Sequence, residues 1–270
     1  MALSLSSGLN GSNAVAELRS AAPGLPTVRR LEALGFRSWP ANTVHYDGSW
    51  AVRLTAGHPA KRLNSVNPLD PEDYDRLDTR LHLAKERFRA FGRPLVFRLS
   101  PLASPVLCNR LDTDGWQRFD LTRVMLADLG HMDFSETVDR LPLQDVGHWI
   151  DQSILLNGYE PALKPGLSEV IGSIHAERGL FLVEDGNGIP LSALLCVHHG
   201  DVCGLFEVVT HPERRRQGHA RALLSSALKW ARAKGAASAF LQVVAANESA
   251  VGLYQSMGFR TAYDYEYWGA

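Results

Sequence analysis

No apolar run in this chain approaches the roughly 20 residues a bilayer-spanning helix needs, and no basic stretch at its start leads into a long apolar one. The expectation is a cytoplasmic protein with no membrane partner. Charge of one sign is missing too: 28 Lys and Arg stand against 29 Asp and Glu, a formal net charge of -1. Without a global basic field, nucleic acid is not an expected partner, and any anion must be held by a local cluster. Cysteine is scarce. Cys108, Cys196 and Cys203 are odd in number and have no C-x-x-C spacing, which argues against a disulfide framework and against a zinc site. If His199-Gly200 closes a tight hairpin, Cys196 and Cys203 face each other across it, as small packing residues or as a redox pair. What is present is core material: 45% of 270 residues are hydrophobic, enough for one large domain or two modest ones.

Met1 to Asn13 is rich in Ser, Gly and Asn and reads as a loose tail, with Ala14 to Ala22 as one short helix. From Thr43 the pattern turns strand-like: VHYDGSWAVRLT folds about Asp47-Gly48 as a hairpin, and KRLNSV adds another extended piece. Asp70 to Phe91 reads as a helix, with Pro71 in its first turn and Leu77, Leu81, Ala84 and Phe88 at helical spacing. PLVFRLS is a strand, about Ala103 to Thr113 a helix, and Trp116 to Leu129 a strand or hairpin. The irregular Gly130 to Asp145 carries the expected domain boundary. Helices over roughly Gln144 to Leu156 and Leu167 to Glu177 enclose a candidate lid, NGYEPALKPG. Three strands in close succession, GLFLVED, IPLSALLCVHH and DVCGLFEVV, then make an antiparallel stretch. A helix from His219 to Lys234, a strand SAFLQVV, a short helix capped by Asn247 and ended by Gly258, and a last strand Phe259 to Trp268 complete the chain.

One stretch has chemistry written into it. CGLFEVVTHPERRRQGHAR runs from Cys203 to Arg221 as strand, turn and helix. Pro212 cannot donate to a sheet ladder and marks the strand end, and Gly218 permits close backbone approach. Bare N–H groups, a helix N-terminus and the guanidinium groups of Arg214, Arg215 and Arg216 come together there, a combination suited to phosphates. The bland alternative is a basic helix start exposed to water.

Element order and motifs together resemble the GCN5-related N-acetyltransferases over about Thr122 to Ala270. Arg215-Arg216-Gln217-Gly218-His219-Ala220 fits that family's Q/R-x-x-G-x-G/A turn, with Arg216 where many members have Gly. Asn247, Ala250, Leu253-Tyr254 and Gly258-Phe259 fit its second signature. Two motifs at the right separation are far more specific than one glycine motif. Setting Gly115-Trp116 on Gly258-Phe259 makes the first half a degraded copy of the second. Glu72 and Asp75 then fall where Arg215 and Gly218 stand. The resemblance extends to the tandem mycothiol synthase group, and implies an α/β (α+β) fold: a central mixed, mostly antiparallel sheet flanked by helices. The expected division is residues 1–30 as tail and short helix, 31–129 as a degenerate acetyltransferase-like domain and 130–270 as the catalytic domain.

The resemblance further implies acetyl-CoA as co-substrate, one per chain, with no metal. Arg215 to Ala220 would hold its pyrophosphate, Asn247 its pantetheine arm unless it merely caps a helix, and a backbone N–H of Val208 or Val209 its thioester carbonyl. Tyr254 matches the family's acid for the departing thiolate, which a phenol of ordinary pKa near 10 suits; packing is its alternative. Glu207, costly to bury unpaired inside LFEVV, is the candidate general base or the holder of a cationic substrate, with a structural salt bridge as the alternative. Tyr159, Glu160 and Lys164 line the acceptor pocket or lie on the surface. Neither Cys196 nor Cys203 has a histidine base beside it, so a covalent route is not expected. The implied reaction is acetyl transfer to a primary amine, a small metabolite or amino-acid-like compound, by direct attack in a ternary complex. A protein N-terminal or lysine acetyltransferase and a non-catalytic acyl-CoA sensor are the alternatives; oligomeric state is left open between monomer and homodimer.

Overall fold

The computed structural model describes residues 24–270. The tail and the helix expected over Ala14 to Ala22 lie outside the described residues. A helix the sequence reading did not assign comes first, α1 (Leu25–Ser38), so residues 25–30 belong to a helix and not to a tail. Its signal was present: Pro26 suits the first turn, and Val28, Leu31 and Leu34, all buried, recur on one face. Strands β1 (Thr43–Asp47) and β2 (Trp50–Leu54) form the expected hairpin, and β3 (Ser65–Pro68) pairs with β2. Helix α2 (Leu77–Ala90) is shorter than the sequence indicated. Residues 70–76 are held as turns instead, because Asp70 accepts from the Glu72 N–H and Asp73 from the Ser49 N–H and from Arg80.

Next come β4 (Val96–Leu99), α3 (Pro105–Thr113) and β5 (Gln117–Asp128), the last a single long strand and no hairpin. Helices α4 (Val146–Asn157) and α5 (Lys164–Gly172) follow, α5 stopping short of Glu177, which opens β6 (Glu177–Glu184). Strands β7 (Pro190–His199) and β8 (Val202–Thr210) form a tight hairpin. Its register sets Cys203 opposite His198 and Cys196 opposite Leu205, so the two cysteines are diagonal neighbours, not the directly facing pair expected. Both are buried free thiols, and a hydrogen bond to Cys203 together with burial holds the Cys196 thiol far above its ordinary pKa. Helix α6 (His219–Ala233), β9 (Ser238–Val244), α7 (Glu248–Ser256) and β10 (Arg260–Gly269) end the fold.

All ten strands form one sheet in the order β1-β2-β3-β4-β10-β5-β9-β8-β7-β6. Among the described residues only β3–β4 and β8–β9 are parallel. Each end therefore has three antiparallel strands and then a parallel neighbour. The centre is an exchange: β10, from the end of the chain, pairs with β4, while β5, from the first half, pairs with β9. The sheet runs without interruption across the boundary expected near residue 130.

One face packs α1, α4 and α5 over Val124, Phe240, Tyr263 and Tyr265. The opposite face packs α6 and α7 over Met125 and Leu241, and α2 and α3 over Phe97 and Trp268. On the first face Arg98 and Glu32 form a buried ion pair, and the Tyr263 hydroxyl donates to Glu32 Oε1 at 2.6 Å. Removing one partner of such a pair costs about 3–5 kcal/mol, so α1 is anchored where the two halves meet. Among the described residues no helix is long and apolar enough to cross a membrane.

Candidate active site

Strand β8 departs from regular geometry where the sequence placed its acid. Ala193 pairs with Val209 and Leu195 with Phe206, so Glu207 and Val208 together oppose the single residue Leu194 in a β-bulge. Glu207 adopts φ 48, a left-handed conformation rare for a non-glycine residue in a strand. On its other side β8 pairs with β9 only from Val202–Ser238 to Leu205–Leu241. From Phe206 onward the two parallel strands have separated. The bulge therefore opens into a wedge between β8 and β9, with Val208 outside both ladders and Val209 back in register with β7.

Glu207 is partly buried and forms no ion pair among the described residues, which leaves the salt-bridge alternative without a partner. The Tyr159 hydroxyl donates to its Oε2 at 3.3 Å. Burial raises the carboxyl pKa, opposed by the nearby Arg62 charge and by the Tyr159 bond. The Tyr159 phenol is raised in turn, by burial and then by the Glu207 charge.

Beyond β8 the chain turns into α6 through two left-handed residues, Arg216 (φ 61) and Gly218 (φ 86). No backbone or side-chain acceptor among the described residues takes the N–H groups of Arg215, Arg216, Gln217, Gly218, His219 or Ala220; the first helical bond runs from Ala222 N to Gly218 O. Alternating left-handed residues fold such N–H groups into an anion-binding concavity, and the helix N-terminus adds positive potential. A Cβ on Gly218 would meet nothing within 4 Å, so the backbone there is open to a close approach. Arg215 and Arg216 are exposed and unpaired, while His219 reaches Gln217 Oε1 at 3.4 Å.

On α7, Tyr254 is buried against Phe259 with ring centroids 6.0 Å apart, and burial pushes its phenol up to about 12. The ordinary pKa near 10 assumed from sequence does not apply, because this ring sits in the core beneath α6. Asn247 is exposed, and its side-chain oxygen accepts the Ala250 N–H at 3.2 Å as the α7 cap.

Of the lid residues only Tyr159 reaches Glu207. Glu160 is exposed and accepts only through its backbone, and Lys164 pairs with Asp151 at 2.6 Å. The first half supplies what sequence reasoning missed. Trp39 stacks on Phe206 at 6.2 Å, His58 packs edge-on to both Trp39 (6.5 Å) and Tyr159 (6.4 Å), and Arg62 lies 5.5 Å over the Trp39 ring. No local pattern marked these three, since each is brought to Glu207 only by the pairing of the halves.

A cleft of about 450 Å³ runs between the end of α4 and the turn, lined by Leu155, Gly158, Ile189, His211, Pro212 and Arg215. A larger one of about 580 Å³, between α6 and the turn from α7 into β10, is lined by none of the anticipated site residues. Among the described residues no group of three or more His, Cys, Asp or Glu is placed to hold a metal ion.

Residues 26–268 match the family model described as "Probable histone acetyltransferase Rv0428c C-terminal". The chain belongs to that family. With it the chain belongs to the GCN5-related N-acetyltransferases, and it is an enzyme of the acyltransferase class. A Bacillus subtilis (strain 168) relative, named an uncharacterized N-acetyltransferase, is 27% identical over 248 residues, 89% of this chain and 97% of that protein. Among solved structures, a GCN5-related N-acetyltransferase from Kribbella flavida superposes with a TM-score of 0.67 at 18% identity, over 89% of this chain and 94% of that one. A tandem protein of the same family from the clavulanic acid biosynthesis pathway gives 0.62 at 15% identity, over 97% and 95%. At these identities the structural likeness speaks for the fold. The bulged β8, the wedge beside it and the turn into α6 all lie within the residues that the family model matches.

Proposed function

We propose that this acetyltransferase moves an acetyl group from acetyl-CoA to the primary amine of a small acceptor by direct attack, with both substrates bound at once. The observation that carries the reading is the conjunction of a bulged, splayed β8 with six unclaimed backbone N–H groups at the following turn. Acetyl-CoA, when bound, supplies an activated thioester. Arg215 to Ala220 hold its pyrophosphate, and Asn247, already engaged as a cap, contributes at most its free amide N–H₂ toward the pantetheine arm. The Val208 N–H, outside both ladders, is placed to bond the thioester carbonyl as negative charge develops there; Val209, back in the ladder, is the weaker candidate.

Glu207 takes a proton from the acceptor ammonium, and its raised pKa suits that exchange better than an ordinary carboxylate. The freed amine forms the new C–N bond, the C–S bond breaks, and the second nitrogen proton passes to solvent, which afterwards reprotonates Tyr254. Tyr254, protonated throughout the working range because burial raises it to about 12, returns a proton to the departing sulfur. Tyr159 orients Glu207. Glu160, exposed and away from Glu207, carries no role in this reading.

The description of the matched family points to a protein acceptor. Trp39, His58 and Arg62, brought from the first half against Phe206 and Tyr159, support a small one instead. Three unpaired cysteines support a cytoplasmic location. The test is thiol release from acetyl-CoA against a library of amines, with Glu207→Gln beside the native protein. We expect the variant to lower kcat by about 10²–10⁴-fold, the usual worth of a general base, to bind acetyl-CoA with native affinity, and to lose the acidic limb of the pH–rate profile. An unchanged limb removes Glu207 as base, and binding without turnover for any amine overturns the catalytic reading.

A further inference from the structure

The acceptor side of Glu207 is rich in hydrogen-bond donors and short of acceptors. Arg62, partly buried over Trp39, forms no ion pair among the described residues. Trp39 Nε1 is buried and has no acceptor. His58 is 5% exposed, and its Nδ1 accepts the Ala60 N–H at 3.2 Å, so the ring proton of the neutral form sits on Nε2, which is likewise buried without an acceptor. Arg53 donates one terminal nitrogen to the carbonyl of Trp39 and the other to that of Arg62, the latter at 2.7 Å, while its Nε has nothing to bond. Buried donors are satisfied in nearly every native protein, so three orphans and an unpaired guanidinium gathered about one tryptophan are an unfilled demand for lone pairs.

The position of this cluster gives the demand meaning. Rings in contact connect it to the base by two routes: Trp39 stacks on Phe206, the neighbour of Glu207, and His58 meets Tyr159, which bonds Glu207. The charged and titratable groups around it are Arg62, Arg93, Arg53, His58, Arg98 and Glu32 from the first half, the last two already paired with each other, and Glu207, Tyr159 and Tyr267 from the second. Arg62 and Arg93 help to keep His58 neutral after burial has lowered its pKa, so its Nε2 stays a donor that adds no further charge. The cluster thus sets a carboxylate, Glu207, near a cation, Arg62, with N–H donors beside it. We propose that the acceptor is a small amine carrying an oxyanion, a carboxylate or a phosphate, close to its amino group. The ammonium lies toward Glu207, and the oxyanion takes its bonds from Arg62, Trp39 Nε1 and His58 Nε2. This rests on the acetyl-transfer reading and names the acceptor class for it.

The experiment is thiol release by the full chain at saturating acetyl-CoA, with matched acceptors: β-alanine against β-alaninamide and propylamine, and 2-aminoethyl phosphate against ethanolamine. The expected result is a kcat/KM at least tenfold higher for an oxyanion-bearing member than for its neutral counterpart, the better pair identifying carboxylate or phosphate. Arg62→Gln is expected to collapse that ratio about 10- to 100-fold, and Arg62→Lys to restore part of it. Trp39→Phe, which keeps an aromatic ring but removes the N–H together with the pyrrole half of the indole, lowers the ratio by a smaller factor. Neutral amines acetylated as well as the charged ones, or a ratio unmoved in Arg62→Gln, overturns the oxyanion and leaves acetyl transfer standing. Failure to consume acetyl-CoA with every acceptor overturns both.

Discussion

Replacing Arg216 is expected to have two effects of opposite sign. Arg216 holds φ 61 in the turn before α6, and a left-handed conformation costs a non-glycine residue about 1–2 kcal/mol. Glycine escapes that cost but loses about 0.5–1 kcal/mol more backbone entropy on folding than alanine does. At this position Arg216→Gly should therefore be more stable than Arg216→Ala by about 0.5–1 kcal/mol, the reverse of the usual order. For a chain of this size each kcal/mol moves Tm by about 2–4 °C, so the glycine variant should melt roughly 1–4 °C above the alanine variant.

Both variants also lose an exposed, unpaired guanidinium from beside the six free N–H groups. A charged hydrogen bond is worth about 1.5–3 kcal/mol. At an exposed site the lower end applies, or about a tenfold rise in Kd for acetyl-CoA. Calorimetric melting without coenzyme reads the first effect and isothermal titration with acetyl-CoA the second. An alanine variant that melts at or above the glycine variant refutes the strain argument. Native affinity in either variant refutes the placement of the pyrophosphate.

Gly166, in the first turn of α5, has its Cα so close to the first half that an added Cβ would sit 1.8 Å from the Gly57 carbonyl oxygen. Gly166→Ala should thus cost about 1–3 kcal/mol and displace His58, seen as a lower melting temperature and a raised KM for the acceptor; native melting would sink the claim of contact. His199, whose Nε2 lies 2.7 Å from Ser38 Oγ, is lowered by burial and the Arg37 charge to about 4 from 6.5. Between those values the unfolded chain binds a proton that the folded protein refuses, so stability falls as pH drops from about 6.5 toward 4 and is unaffected by this group above that window. Denaturant titrations at pH 7 and 4.5 should show a loss about 2 kcal/mol smaller in His199→Gln than in the native protein; equal losses would rule out His199 as the source.

What could be read from the sequence was local. The turn from Arg215 to Ala220 and the cap at Asn247 follow from residues within a few positions of each other, and Glu207 stood out because a carboxylate inside LFEVV demanded explanation. The helix expected from Asp70 failed because Asp70 and Asp73 bind backbone and Arg80 instead, a competition that helical spacing cannot register. Trp39, His58 and Arg62 were invisible for a different reason. They lie far from Glu207 along the chain, and only the register of a ten-stranded sheet brings them together. The central exchange of strands was equally hidden, since nothing in the alternation of β5 or β10 states which neighbour it will find.

That exchange bears on how the protein comes to be folded at all. Val96–Leu99 gains its second neighbour only from Glu266–Gly269, so neither half's sheet closes while the rest of the chain is missing. A nascent first half would wait with an open edge, and contacts of such long sequence separation slow folding because loop-closure entropy precedes their reward.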